Sequence, residues 1–269
     1  MSHIERHYGS GYEDVRLKAG SGKLELERVR ELMIRFLPAA PAIVLDIGGG
    51  TGVHALWLAA KGYRVHLLDL VPLHIELLRK ASGARPGTAL AEAVVGDAKS
   101  LPWPDGMADA VLLFGPLYHL TSREDRIRAL REAGRVLKPG GTLLAAGISR
   151  FASALDGIRE RYLADPDFAA IVDRDLTDGQ HRNPTGKPEY FMDTFFHHPD
   201  ELRREITEAG FGITGVYGIE GPGWLVHDFD AWWDDPQLRD RLLHLARRLE
   251  SEPSLAGISP HLLAAARKP

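Results

Sequence analysis

The stretch Ala42–Gly52, AIVLDIGGGTG, decides how this chain is read. Ile43, Val44, Leu45 and Ile47 form the apolar run of a strand buried on both faces of a parallel sheet, with Asp46 embedded in it. The glycines Gly48, Gly49, Gly50 and Gly52 then allow a sharp turn and let a ligand approach the backbone closely. Helix-like sequence follows at once, from Val53 to Lys61. A strand, a glycine turn and a helix N-terminus together make a cofactor cradle at the carboxyl edge of a parallel sheet.

The spacing selects among cofactors. A dinucleotide fingerprint, G-x-G-x-x-G, counted from Gly48 and Gly50, would place its third glycine where Val53 stands. The chain instead reads D-x-G-x-G-x-G. Asp46 would repel a pyrophosphate but suits an ammonium group or ordered waters. That favours a cationic, amino-acid-like cofactor over NAD.

Four further signals follow in order. Tyr63–Leu68 reads as a strand ending at Asp69, whose carboxylate can accept both hydroxyls of a ribose. Dehydrogenases also carry an acid there, so Asp69 alone does not discriminate. Ala93–Ala98 (AVVGDA) supplies Asp97, Asp109–Leu120 (DAVLLFGPLYHL) is a strand and turn, and Ala129–Ile148 is a helix, a Lys-Pro-Gly-Gly turn and a strand.

In these five elements, over roughly residues 40–150, the chain resembles the class I S-adenosylmethionine (SAM)-dependent methyltransferases. The resemblance implies SAM as cofactor, with Asp46, Gly48, Gly49, Gly50 and Gly52 around its amino-acid portion and Asp69 and Leu70 at its ribose. It implies that Asp97 faces the adenine amino group, that the Ala98 amide meets a ring nitrogen, and that Phe114 and Gly115 lie where the family holds the methyl donor. Arg28, on an N-terminal helix, is placed to reach the cofactor carboxylate as similar arginines do; Glu25 or Glu31 could instead hold it in a surface pair.

Composition agrees. A chain of 269 residues, 44% hydrophobic, can bury the core of one large α/β domain with insertions. A formal charge of −4 gives no basic surplus for phosphates, which argues against a nucleic-acid partner. The absence of cysteine excludes disulfides and thiolate chemistry and suits a reducing cytoplasm. No apolar run reaches the ~18 residues of a spanning helix, and Met1–Ser10 lacks a signal-peptide core. The expectation is a cytoplasmic protein, monomer or homodimer, with a small-molecule acceptor and neither nucleic acid nor membrane as partner.

The expected fold is α/β: a Rossmann-like, doubly wound, mostly parallel seven-stranded sheet with helical lid insertions after strands 5 and 6. A helical cap occupies residues 1–40, with polar, glycine-rich sequence before Leu24, and the cofactor-binding core follows over 41–150. Strands are expected near 42–47, 64–69, 90–95, 109–114 and 141–148, with helices near 53–61, 73–81 and 123–137. A lid insertion spans 151–199 and includes the polar stretch Asp178–Pro188. The C-terminal part, 200–269, holds a helix over Asp200–Ala209, a strand at Ile213–Val216, an insertion carrying Trp224, Phe229, Trp232 and Trp233, and a closing antiparallel strand over His261–Ala266.

Methyl transfer needs positioning and exclusion of water more than one strong base. His119, just past the fourth strand, is the candidate base, because imidazole titrates near neutral pH; alternatively it hydrogen-bonds a loop carbonyl. The surrounding turn resembles that of glycine N-methyltransferase-like enzymes, where a histidine lies close to the reacting groups. Tyr118 either orients the acceptor or packs. Arg150, after the fifth strand, either binds a substrate carboxylate or phosphate or pairs with an acid. His181 is either a lid tip touching the acceptor or part of a solvated turn, and Arg123–Arg131 reads as a solvated helix face. No metal-ligand spacing appears, so no metal is expected. Two other classes compete: an NAD-dependent oxidoreductase, and a SAM-binding module without transferase activity. N-, O- and C-methylation are not separated at this level.

Overall fold

The glycine turn sits at the centre of the molecule because the strand before it is buried on both faces. The computed structural model describes residues 16–84 and 87–269; most of the polar segment before Leu24 lies outside them. β1 (Ile43–Ile47) runs parallel between β2 (Arg64–Asp69) and β4 (Ala108–Leu113), with Val44 opposite both Val65 and Ala110. Val44, Leu45 and Ile47 are almost wholly buried, as an apolar run inside a parallel sheet requires.

The remaining strands are β3 (Glu92–Val95), β5 (Leu137–Ser149), β6 (Gln180–His181), β7 (Thr194–His197), β8 (Gly212–Gly218) and β9 (His261–Arg267). The main sheet runs β3-β2-β1-β4-β5, then continues through β9, antiparallel to β5, to β8, antiparallel to β9. These are the seven strands expected. Two short ones are added: β7 pairs with the end of β5 through Ile148↔Phe196 and Ser149↔His197, and β6 pairs with β7, making nine. Strand order reverses between β1 and β4, where a doubly wound sheet opens its cleft.

β5 begins earlier than the Lys-Pro-Gly-Gly turn suggests. Lys138–Gly141 stays within the strand as an irregularity between the pairs Ala108↔Leu137 and Ala110↔Thr142. The Gly140 N–H donates to the Lys268 carbonyl (2.9 Å), so the final residues of the chain close what would otherwise be a free turn.

Helices cover both faces. α1 (Gly22–Phe36), α2 (Val53–Ala60) and α3 (Pro72–Ala81) bring Leu32, Met33, Leu58 and Ile75 against Val44, Leu112 and Leu144. On the other face α5 (Arg123–Val136) and α8 (Pro199–Glu208) bring Ile127, Leu130, Leu202 and Ile206 against Leu45, Val111 and Leu143. Alternate residues of one strand thus feed separate cores. A short α4 (Pro116–His119) follows β4; α6 (Ala152–Arg159) and α7 (Pro166–Asp178) follow β5; α9 (Phe229–Asp234) and α10 (Pro236–Leu249) lie between β8 and β9.

Two sequence readings are corrected here. His181 is neither a lid tip nor solvated: it is buried, with Nδ1 2.8 Å from Asp175 Oδ2 and Nε2 2.8 Å from the Tyr190 carbonyl oxygen. Asp178–Pro188 is therefore held at its start, where Gln180 and His181 pair with β7 and Gln180 Nε2 donates to the Thr121 carbonyl (3.1 Å). Nor is Arg126 on a solvated face. It is buried, its guanidinium 3.6 Å from the centre of the Phe195 ring, and it donates to both oxygens of Glu205. Nη1 also donates to the Leu120 and Thr121 carbonyls (2.9 and 3.0 Å), which fixes the chain just beyond α4. Burial raises the Glu205 carboxyl, but hydrogen bonds from His197 and Arg126 outweigh it and hold it near 2.

Removing one partner of such a pair leaves the other charge buried alone. Arg126→Ala should therefore cost ~3–5 kcal/mol in urea unfolding at neutral pH. Because the folded Glu205 carboxyl lies below its unfolded value, this contribution is present above the ordinary glutamate range and fades as pH falls toward about 2. A loss unchanged at low pH would contradict the assignment.

Candidate functional site

One cleft opens at the carboxyl edge of the sheet, above β1, β2 and β4. Its floor is the glycine turn. Gly50 has φ +57°, and the nearest atom to a Cβ built there is His74 Nδ1, 4.0 Å away, so the space over this backbone is open. Gly48 differs: a Cβ there would meet Pro116 Cδ at 2.6 Å, because the turn packs directly on α4. Gly49 abuts Asp46 and Leu67 in the same sense. Gly52 packs against Leu78 beneath the start of α2 and is not part of the cleft wall.

Asp69 ties the turn to the next strand. Its Oδ2 accepts from the Gly50 N–H (2.8 Å), and its Oδ1 accepts from the Val71 N–H (2.9 Å) and lies 3.0 Å from His74 Nδ1. Of the four lone-pair directions of a carboxylate, three are engaged among the described residues and one on Oδ2 remains. Leu70, nearly half exposed, extends the wall beside it, and Asp97 and Ala98 continue it; Asp97 Oδ1 accepts the Lys99 N–H at 2.9 Å.

Asp46 lies under the turn, buried, with Oδ2 lacking a hydrogen-bond partner among the described residues. Burial, aided by the nearby Asp69 carboxylate, pushes its carboxyl up to about 7. An orphaned buried carboxyl oxygen beside open space suits a cationic ligand group or a bridging water.

The opposite wall is formed by Phe114, Gly115, Tyr118 and His119, the last two with ring centres 4.6 Å apart on α4. Apolar surface from Val29, Ala146, Ile219 and Leu263 lines the same cleft, as does a polar group made of Arg16, Glu25, His54 and His261, with the His54 ring edge-on to Phe114 at 5.5 Å between centres.

Two expected residues are not in this cleft. Arg28 is fully buried and pairs with Glu31 and Glu250, with Nε donating to the Ile219 carbonyl (3.3 Å). The glutamate on its own helix does hold it, in a buried cluster and not in a surface pair. Arg150 donates from Nε to the Phe196 carbonyl (2.9 Å) and pairs with Glu201, fastening β5 to β7 and α8. Conversely, Arg16, His54, His74 and His261 line the cleft without having been singled out. His261 alone left a usable trace: a closing antiparallel strand necessarily starts at the carboxyl edge of its parallel neighbour.

A methyltransferase-domain family model matches residues 45–145. The chain is 34% identical over 207 residues to the ubiquinone/menaquinone biosynthesis C-methyltransferase UbiE of Acidiphilium cryptum, covering 74% of this chain and 77% of that one. The chain belongs to the class I SAM-dependent methyltransferases. A match to an uncharacterized methyltransferase of Mycobacterium tuberculosis, 37% identical over 135 residues, covers 48% of this chain and spans about half (51%) of that relative. A SAM-dependent methyltransferase from Mesorhizobium loti shares the fold, with a TM-score of 0.61 at 19% identity, covering 90% of this chain and all of that one. The cofactor of this methyltransferase family is SAM, and the open backbone at Gly50, together with an Asp46 oxygen that has no hydrogen-bond partner among the described residues, fits its aminoacyl end.

Raising the Asp46 carboxyl above its unfolded value means that its contribution to stability is present at low pH and is lost as pH rises through about 7. A cationic ligand group reverses the preference, since it favours the ionised form. SAM affinity measured by calorimetry should therefore strengthen from pH ~6 to ~8, and Asp46→Asn should flatten the rise attributable to this carboxyl. An identical slope in both proteins would remove Asp46 from the cofactor's surroundings.

Proposed function

We propose that this chain transfers a methyl group from SAM to a small-molecule acceptor with an apolar body and a polar handle. The observation that carries the reading is the continuity of the cleft, which runs from the open turn at Gly50 and Asp69, past Phe114, to Tyr118, His119, Ile219 and His261. Cofactor edge and acceptor wall share one space, which favours a transferase over a binding module. When bound, SAM supplies an electrophilic sulfonium methyl.

The chain's own residues then act by placement. Gly48, Gly49 and Gly50 present backbone at close range, with Asp46 beneath them, and Gly52 sets the angle of α2. The spare lone pair of Asp69 takes one ribose hydroxyl, where the sequence alone suggested both. Leu70, Asp97 and Ala98 flank the base, and Phe114 and Gly115 bound the reacting end. Tyr118 and His119 hold the acceptor in line, on a helix whose exit is fixed by Arg126. Arg28 and Arg150 support this arrangement from behind it. UbiE, by its name a C-methyltransferase of quinone biosynthesis, is consistent with an acceptor of ring-like, largely apolar character.

The direct test is incubation with methyl-labelled SAM and a metabolite extract, with mass spectrometry for a labelled one-methyl gain. A chain that binds SAM and labels nothing from any extract would support the binding-module alternative. With an acceptor in hand, His119→Asn should keep turnover within ~10-fold of wild type, because placement dominates, whereas loss of a general base would lower it ~10²–10⁴-fold.

A further inference from the structure

The polar group on the cleft wall has a defined inner order. His261 begins β9 opposite Ile148, near the carboxyl end of β5, and so stands at the open edge of the sheet. Its Nδ1 is 2.6 Å from Glu220 Oε1. Glu220 is buried behind it, and its Oε2 accepts from Ser259 Oγ (2.6 Å) and from the His261 N–H (3.3 Å). The carboxylate therefore accepts a hydrogen bond from Nδ1–H and sets the ring's direction. Nε2 makes no hydrogen bond among the described residues, and the ring lines the cleft.

The neighbouring charges make this ring a donor. Glu25 Oε2 lies 3.6 Å from Nδ1. Burial lowers the His261 imidazole, but Glu25 and Glu220 together outweigh it and carry it up to about 9. Glu25, for its part, is raised by burial and lowered further by Arg16 and His261, to about 2. Arg16 donates to both Glu25 oxygens, which blunts the negative charge that Glu25 shows to the cleft. His54, with Nδ1 enclosed, is pushed down by burial to about 4 and is neutral. Glu25, Glu220 and His261 each place a ligand atom within 4.8 Å of the others, as a metal site would. Arg16 and Ser259 already occupy those carboxylates, however, and a cation beside Arg16 would be repelled. Among these groups Arg16 pairs with Glu25 and the protonated His261 with Glu220, which leaves the Nε2–H of His261 as a hydrogen-bond donor beside the apolar surface of Ile219, Ala146 and Leu263.

We infer that His261, oriented by Glu220, is the acceptor-binding residue of this enzyme: its Nε2–H receives an oxyanion, carboxylate or phenolate, on an apolar acceptor. This rests on the methyltransferase reading and names the polar handle left open there. Glu220 is a positioning residue, and its loss acts through the ring.

The test uses the full chain saturated with S-adenosylhomocysteine, titrated with benzoate, 4-nitrophenolate or benzamide at mildly alkaline pH, where His261 is still protonated. Calorimetry reads affinity, and ¹⁵N imidazole NMR reads the His261 ring. At least one anion should bind ~10-fold or more tightly than benzamide, the scale of a charge-assisted hydrogen bond, and should shift the Nε2 resonance. Benzoate and 4-nitrophenolate separate carboxylate from phenolate acceptors. His261→Gln should erase the preference while leaving S-adenosylhomocysteine affinity unchanged, and Glu220→Gln should lower the imidazole titration midpoint and weaken the preference. Equal binding of the three probes, or an anion preference that survives in His261→Gln, overturns the proposal. If a variant fails to fold, the wild-type resonance decides by itself. Failure of S-adenosylhomocysteine to bind the wild type would count against the cofactor reading instead, and the anion titration of the free chain would still judge His261.

Discussion

The Asp69 carboxylate is the point on which the cofactor edge depends. β1 and β2 end side by side, and each leaves backbone N–H groups that no strand partner can take. Asp69 accepts from both, Gly50 on one side and Val71 on the other, with His74 from α3 completing its environment. Hydrogen bonds to an ionised acceptor are among the stronger ones available, and here they replace solvent at a buried position. The turn can hold its open shape over Gly50 because this carboxylate anchors it. Asp46 Oδ2 below has no hydrogen-bond partner among the described residues, and burial together with the nearby Asp69 pushes its carboxyl up to about 7.

A second constraint fixes α1 over the cleft. Arg28 and Arg35 converge on Glu250 at the end of α10, and Arg247 reaches Glu31. Burying Arg28 fully is expensive unless every donor finds an acceptor. Two carboxylates and the Ile219 carbonyl engage each of its three nitrogens, and the carboxylates oppose its charge. The same cluster sets where Ile219 and Glu220 emerge from β8, and hence where the Glu220–His261 pair stands. A charge network well behind the cleft thus governs the geometry of its polar wall.

These networks explain what was readable in the chain and what was not. The strands, the glycine turn and the alternation of strands with helices were legible because each rests on residues adjacent in sequence: an apolar run, a glycine cluster, a helical period. Glu31 on the same helix was legible as a partner of Arg28, but the burial of Arg28 and Arg126 was not, because Glu250 and Glu205 lie 222 and 79 residues away and nothing local distinguishes a buried arginine from a solvated one. Arg150 was drawn to Glu201 for the same reason. His181 looked like part of a polar loop, since its neighbours are Gln, Arg and Asn; its burial follows from Asp175 on the preceding helix and the Phe196 ring stacked 4.7 Å above it. The irregularity in β5 was hidden because the residues that accommodate it, Gly141 and Lys268, meet only in the folded sheet.

The cleft's two polar walls differ in how firmly they are held, and that difference bears on the division of labour we propose. His119 belongs to a single helical turn whose exit is clamped by Arg126 and whose entry packs Pro116 on Gly48. It is coupled to the glycine turn, so whatever it does is tied to the position of the cofactor. His261 is fixed instead by Glu220 and Ser259, elements that make no contact with the turn through the hydrogen bonds described. An acceptor held between the two would be aligned by one residue in register with the cofactor and anchored by another independent of it. In-line transfer gains from such an arrangement, since alignment and affinity can then be set by separate groups.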